Sequence, residues 1–137
     1  MTFLKAIFLD RDGVLVDPIY KNGRSYAPRN LKNFKIYSYA KSELNKLRKL
    51  GFKLIVITNQ PDIGNKKMDI QILYKMNYIL KKKLTLDYIY FCKHSNNDNC
   101  QCRKPGILNF LKAKKKFKID FSKSFVIGDR KSDIDAG

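Results

Sequence analysis

The chain has 137 residues, 44% of them hydrophobic; this supplies one ordinary core and excludes a multidomain arrangement, so residues 1–137 are expected to form a single domain. Its 29 Lys and Arg against 12 Asp and Glu give a formal charge of +17, which raises nucleic-acid binding. The charge is diffuse, however, as in Lys81 to Lys83 and Lys112 to Lys116, and a solvated helix face explains it better than a phosphate-tracking groove.

In chain order, residues 5–9 (K-A-I-F-L) form a short apolar run ended by Asp10, as a buried parallel strand would be. Residues 16–33 are rich in Pro, Gly, Asn and Arg and read as loop. Ala40, Leu44, Leu47 and Leu50 keep helical spacing, and Gly51 supplies the stop. A second buried strand is predicted over 52–57 (F-K-L-I-V-I), ending at T-N-Q-P. Asp69 suits the cap of a helix with Ile72, Leu73, Met76, Ile79 and Leu80 on one side. A third strand is predicted over 87–91, and Pro105 suits the first turn of a helix bearing Leu108, Leu111 and Phe117. The last strand, 124–127, runs into G-D-R.

Strands alternating with helices predict an α/β fold, a parallel sheet with helices on both faces. Ligands of such sheets bind outside the carboxyl ends of the strands. Those ends carry Asp10, Thr58, the Cys/His stretch and Asp129. No segment approaches the roughly 20 apolar residues of a membrane span. Residues 1–10 are too short and too polar for a secretory leader, so a soluble, cytoplasmic chain is expected.

L-D-R-D-G-V, residues 9–14, places two carboxylates two residues apart where a strand ends. A calcium loop would need ligands, Gly and Glu where Val14, Leu15 and Lys21 stand, so that reading fails. Asp10 and Asp12 can instead face one crevice, with Gly13 permitting the turn. A Mg²⁺ ion between them would let one carboxylate attack phosphorus while the other exchanges a proton with the leaving group.

Residues 91–104 (F-C-K-H-S-N-N-D-N-C-Q-C-R-K) hold all three cysteines and the single histidine. Cys92, His94, Cys100 and Cys102 form a closed set of four soft donors, which argues for structural tetrahedral Zn²⁺. A disulfide would leave one cysteine over. The C-x-H and C-x-C spacings depart from the usual C-x₂-C knuckle, and reduced, unliganded thiols are the alternative.

L-D-R-D-G-V, T-N-Q, the lysine of C-R-K-P and G-D-R-K-S-D occur in the order of the four motifs of the haloacid dehalogenase superfamily, and the chain resembles its phosphatases over nearly its whole length. C-x-H, C-x-C and R-K-P narrow the resemblance to the histidinol-phosphatase and D,D-heptose 1,7-bisphosphate phosphatase group. The resemblance implies a three-layer Rossmann-like fold and a Mg²⁺-dependent phosphatase working through an aspartyl-phosphate. Asp10 would be the nucleophile and a Mg²⁺ ligand. Asp12 would be the general acid and base, giving its backbone carbonyl to the metal. Thr58 would bond the transferring phosphoryl group and Lys104 would stabilise its charge. Asp129 would be the second carboxylate on Mg²⁺, with Asp133 behind it. Asn59, Gln60, Arg103 and Arg130 would contact substrate.

The intervals between Asp12, Thr58 and Lys104 hold no room for a cap domain, so a capless enzyme is expected. Access would then be set by the zinc-stapled loop and by residues 16–33, where Tyr20, Arg24, Tyr26 and Arg29 are candidate substrate contacts. The family continues with a helix and a strand beyond the point corresponding to Gly137, so the fold is expected to be C-terminally short. A small phosphorylated metabolite is the expected partner of a monomer: first a heptose bisphosphate, next histidinol phosphate. A zinc-stabilised nucleic-acid binder or polynucleotide phosphatase is the competing reading, and Ser95 to Asn99 lack the Arg and aromatic residues it needs.

Overall fold

The computed structural model describes residues 3–95 and 98–137. Asn96 and Asn97, within the Cys/His stretch, and Met1 and Thr2 lie outside the described residues. The elements run β1 (Ala6–Leu9), β2 (Ile19–Lys21), β3 (Arg24–Tyr26), α1 (Ala40–Lys49), β4 (Lys53–Asn59), α2 (Pro61–Gly64), α3 (Ile70–Leu84), β5 (Tyr88–Cys92), α4 (Leu108–Phe117), β6 (Phe125–Ile127) and α5 (Lys131–Ala136). Four strands make a parallel sheet in the order β5-β4-β1-β6.

The strands read as continuous apolar runs because the two central ones are covered on both faces. Ile7 and Leu9 of β1 and Leu54 and Val56 of β4 pack with Ala40 and Leu44 of α1 and Leu80 and Leu84 of α3. The alternate residues, Ala6, Phe8, Ile55 and Ile57, pack with Phe110 and Ala113 of α4. Period-2 alternation thus divides each strand between two cores. Phe8 meets Phe110 edge-on, with centroids 5.1 Å apart. Each fully buried aliphatic side chain here contributes about 1.5–3 kcal/mol.

Parallel register fixes where the strands end together. Leu9 lies opposite Val56 on one side and Ile127 on the other. Asp10 N–H donates to the Ile127 carbonyl at 2.9 Å, so the residues after β1, β4 and β6 emerge at one edge of the sheet.

Helix ends follow local chemistry. Gly51, at φ +92°, follows α1, and the Asp69 carboxylate accepts from Gln71 N–H at 2.8 Å to cap α3.

Three expectations need correction. Residues 16–33 are not all loop: β2 and β3 pair antiparallel with Lys21 opposite Arg24. Asn22 and Gly23 form the two-residue turn, at φ +53° and +75°, and Asn-Gly is a strong hairpin signal that a reading by composition passes over. The helix after Lys104 begins at Leu108, not at Pro105, because the chain first turns with Gly106 N–H on the Arg103 carbonyl at 2.7 Å. The second strand runs on to Asn59, which leaves Thr58 and Asn59 inside β4.

Truncating Ile55, fully buried on the face covered by α4, should lower stability by about 2–5 kcal/mol in Ile55→Ala, read as a shift in the urea midpoint at unchanged slope.

Candidate active site

The strand ends open into a cleft of about 680 Å³ whose lining includes Asp10, Asp12, Arg24, Tyr26, Arg29, Asn59, Arg103, Lys104, Arg130 and Asp133. Its floor is ionic. Lys104, 4% exposed, places its ammonium 3.2 Å from Asp10 Oδ1, donates to the Ile57 carbonyl at 2.8 Å, and contacts the Asp133 carboxylate. Asp10 Oδ1 also accepts the Arg11 N–H at 2.8 Å. Burial pushes the Asp10 carboxyl up to about 6, against the opposing pull of Lys104; the neighbouring Asp133 adds to the rise.

Two glycines admit close approaches. Gly13 turns at φ +91°, and the Asp129 carboxylate lies where a side chain at position 13 would be, which brings it over Asp10. Oxygens of Asp10, Asp129 and Asp133 lie within 4.8 Å of one another, a hard-oxygen set suited to Mg²⁺. Gly64, ending α2, lies against the backbone of Lys93, His94 and Ser95 and docks that helix on the Cys/His loop.

That loop begins where β5 delivers Cys92 into the interior. His94 Nδ1 lies 3.3 Å from Cys92 Sγ and 3.2 Å from Cys102 Sγ. Cys92 Sγ lies 3.6 Å from Cys100 Sγ and 2.8 Å from Cys102 Sγ. All three cysteines are free thiols, and the four donor atoms lie within 4.8 Å of one another. Four ligands on tetrahedral zinc stand roughly 3.5–3.8 Å apart, so this donor set fits zinc in its chemistry and in its clustering, with the Cys92–Cys102 contact tighter than a bound ion would leave it. Burial, reinforced by the Cys102 hydrogen bond, pushes the Cys92 thiol well above its ordinary range; thiolate there requires a cation.

The structure sorts the remaining expected residues. Thr58 is buried, and its hydroxyl accepts from Gln60 Nε2 at 3.0 Å. Asn59 faces the cleft, yet its amide clamps the backbone of Lys104, accepting from Lys104 N–H at 2.9 Å and donating to the Lys104 carbonyl at 3.3 Å. Gln60 is 1% exposed, with its amide engaged by Thr58, Asp12 and Arg11, so it stands behind the cleft and not in it. Asp133 is buried and accepts the Arg130 N–H at 3.2 Å while contacting Lys104. Arg103 keeps one buried guanidinium nitrogen, Nη1, that has no hydrogen-bond partner among the described residues.

Of the loop candidates, Arg24, Tyr26 and Arg29 line the cleft, but Tyr20 does not and is 72% exposed. Arg29 pairs with Asp62 at 2.9 Å, and Arg130 Nη2 donates to Ser25 Oγ at 3.0 Å, which ties the hairpin to the start of α5. Arg11 is absent from the residues that sequence reasoning singles out. It is fully buried and bonded to Asp12 and Gln60. Its signal is an arginine between two aspartates at a buried strand end, where its charge has no route to solvent.

A family model described as polynucleotide kinase 3 phosphatase matches residues 5–134. The chain belongs to this family of haloacid dehalogenase-like phosphatases. It is 36% identical over 140 residues to the D-glycero-beta-D-manno-heptose-1,7-bisphosphate 7-phosphatase of Helicobacter pylori, covering 97% of this chain and 77% of that protein. The enzyme of the same name from Haemophilus influenzae is 34% identical, with 97% and 75% covered. The histidine biosynthesis bifunctional protein HisB of Buchnera aphidicola is 31% identical over 136 residues, 96% of this chain but 38% of that protein. Among solved structures, D,D-heptose 1,7-bisphosphate phosphatase from B. bronchiseptica, complexed with magnesium and phosphate, superposes with a TM-score of 0.80 at 23% identity over 97% of this chain and 74% of that one. A HAD-like phosphatase from Mesorhizobium loti gives 0.84 at 20% identity, with 98% and 67% covered. These structural likenesses establish the fold, and family membership makes the chain a phosphoric monoester hydrolase. No helix among the described residues is long and apolar enough to cross a membrane.

The raised carboxyl of Asp10 has a consequence for stability. The unfolded chain ionises near 3.8 and the metal-free folded chain near 6, so the contribution of this group is intact below about pH 4 and declines as pH rises toward and past 6. In Mg²⁺-free buffer Asp10→Asn should therefore be more stable than the parent at pH 7.5, by on the order of 2–3 kcal/mol. The gain should vanish at pH 4. Equal gains by urea unfolding at both values would refute the assignment.

Proposed function

We propose that this enzyme hydrolyses a small sugar bisphosphate, with D-glycero-D-manno-heptose 1,7-bisphosphate as the first candidate, through a phosphorylated Asp10. The observation that carries the chemistry is the buried pairing of Asp10 with Lys104 at the ends of parallel strands, open to a cationic cleft. What supports the substrate is the likeness to two heptose bisphosphatases, of whose lengths this chain covers 77% and 75%.

In the first half-reaction the ionised Asp10 carboxylate attacks phosphorus as the P–O bond to the leaving group breaks, and the proton of Asp12 passes to the departing oxygen. In the second, Asp12, now a carboxylate, takes a proton from water as that water's oxygen attacks phosphorus. The P–O bond to Asp10 then breaks, phosphate leaves, and both acids return to their starting states. Charge spreads over the equatorial phosphoryl oxygens in each transition state, so fixed cations and donors supply most of the catalysis. Lys104 faces those oxygens as a cation held rigidly by Asp10, Asp133 and the Ile57 carbonyl. Thr58 contributes its hydroxyl, and Arg103, whose buried Nη1 has no partner among the described residues, and Arg130 bind the rest of the substrate. Asn59 serves through the Lys104 backbone it clamps.

Mg²⁺ would be held by Asp10, Asp129 and the Asp12 carbonyl, with Asp133 behind them, and would neutralise phosphate charge. Zn²⁺ would be structural, on Cys92, His94, Cys100 and Cys102, leaving no open position for catalysis. A site built on reduced thiolates suits a reducing compartment, so we place the enzyme in the cytoplasm. It works as a monomer, and the site carries no cap: between Asp12 and Thr58 the described chain holds only the hairpin, short turns, α1 and β4, and between Thr58 and Lys104 only α2, α3, β5 and the Cys/His loop.

Histidinol phosphate is the second reading, favoured by the HisB relatives at 31–36% identity. A polynucleotide fits less well. The described part of the Cys/His loop offers Ser95, Asp98 and Asn99, with no aromatic platform for bases.

With Mg²⁺, the heptose bisphosphate should release phosphate faster than histidinol phosphate or a 3′-phosphorylated oligonucleotide, and Asp10→Asn should release none above background. Silence of the parent on all three substrates would overturn the proposal. The purified chain should contain about one zinc by metal analysis, with Cys100→Ser losing both the metal and thermal stability; a zinc-free parent would sink the ligand set.

A further inference from the structure

Asp12 lines the cleft, and both of its oxygens are held by neighbours, with one lone pair of Oδ2 left over to carry a proton. Oδ1 accepts from Arg11 Nε at 3.1 Å and lies 3.0 Å from Arg11 Nη2. Oδ2 accepts from Gln60 Nε2 at 2.9 Å. The triangle is closed by Arg11 Nη2, which donates to Gln60 Oε1 at 3.1 Å. Arg11 and Gln60 are 0% and 1% exposed, so neither reaches a ligand in the cleft. The rest of the guanidinium is enclosed by apolar or soft groups: Nη1 lies 3.9 Å from Met76 Sδ, and the Phe34 ring stacks at 5.5 Å.

A buried guanidinium is a costly way to fill space; replacing a buried ion pair with apolar groups is often neutral or stabilising. Here its charged contacts converge on one carboxylate and on the amide that grips that carboxylate from the other side. The planar guanidinium fork, with Nε donating to Oδ1 and Nη2 paired with it by charge, and a single amide donor on Oδ2 fix the plane of the carboxyl group, which a lone aspartate at a turn would leave free to rotate about its χ angles.

We propose that Arg11 and Gln60 are positioning residues that act together through Asp12, holding its carboxyl in the orientation that delivers a proton to the leaving-group oxygen. This rests on the acid and base role proposed above for Asp12. Because the pair acts on proton delivery, its loss matters in proportion to how much the leaving group needs a proton. An alkoxide departing from a sugar phosphate needs one; p-nitrophenolate does not. A merely structural loss would instead lower both reactions alike.

The test compares kcat/KM, which reports the steps up to departure of the leaving group, for a sugar phosphate and for p-nitrophenyl phosphate. Arg11→Met and Gln60→Leu should each lose about 10²-fold on the sugar phosphate, the scale of a misplaced catalytic group, and less than about 5-fold on p-nitrophenyl phosphate. Arg11→Lys, which keeps the charge but not the fork, should recover part of the loss. In an Asp12→Asn background neither substitution should cost more than about 2-fold on either ester, because the group they orient is gone. Equal losses on both esters, no loss on either, or full losses persisting without Asp12 would overturn the inference. Should Arg11→Met fail to fold, Gln60→Leu alone decides it. If Asp12→Asn itself shows no dependence on the leaving group, the role given to Asp12 fails, and that is distinguishable from a failure of Arg11 and Gln60 to support it.

Discussion

The ammonium of Lys104 is the point at which separate parts of the chain are obliged to meet. A buried lysine is tolerated only when its charge is paired and its protons are accepted. Those acceptors come from three elements: Asp10 after β1, the Ile57 carbonyl in β4, and Asp133 in α5. The lysine itself arrives from a fourth segment, the turn following Cys102. Asn59 secures the arrival by bonding both the N–H and the carbonyl of Lys104, so the side chain enters from a backbone fixed at two points. A single cation thereby sets the relative placement of strand ends, a helix start and the Cys/His loop.

This dependence explains why a loop with four soft donors lies beside hard-oxygen chemistry. The described part of residues 93–107 includes no strand or helix of its own and adds no side chain to the three apolar clusters, so conformational entropy would dominate without a crosslink. Four donors gathered within 4.8 Å can close that loop only two residues before Lys104. Gly64 adds a second restraint, since its lack of a side chain lets α2 rest on the same backbone. The soft-donor loop and the hard-oxygen cluster are therefore joined through the position of one lysine, and share no side chain.

How much of this is legible in the sequence depends on whether a residue's task is local. Asp10, Thr58 and Asp129 are legible because buried parallel strands announce themselves as apolar runs, and sites of such sheets form where those runs end. Cys92, His94, Cys100 and Cys102 are legible from their chemistry alone. The hairpin turn at Asn22-Gly23 is local as well, but it is easily overlooked within a stretch rich in loop formers. Arg11, Asn59 and Gln60 are different. Their partners, Gln60, Lys104 and Asp12, lie 49, 45 and 48 positions away, and no periodicity reports which of several polar neighbours turns inward. Pro105 misleads for a related reason, since proline suits both a helix start and a tight turn, and the choice is made by hydrogen bonds from Gly106 and Leu108 back to Arg103 and Gln101.

The +17 charge takes its meaning from the same division between interior and surface. Five of the lysines lie over aromatic rings: Lys81 and Lys116 over Tyr88, Lys82 over Tyr78, Lys114 over Phe121 and Lys5 over Phe52. Their ammonium groups sit against the ring faces, an attraction that needs no acidic partner. The cleft concentrates a different set, Arg24, Arg29, Lys67, Arg103 and Arg130, around a floor that itself carries Asp10, Asp12 and Asp133. An anionic phosphate ester approaching the molecule meets a net favourable field, and at the cleft it meets cations held by the fold: Arg29 by Asp62, Arg130 by Ser25, Lys104 by the floor. Long-range attraction raises the rate of encounter and is screened by salt. Selection among phosphate esters must come from the fixed set, because only charges that do not move can favour one arrangement of phosphates over another.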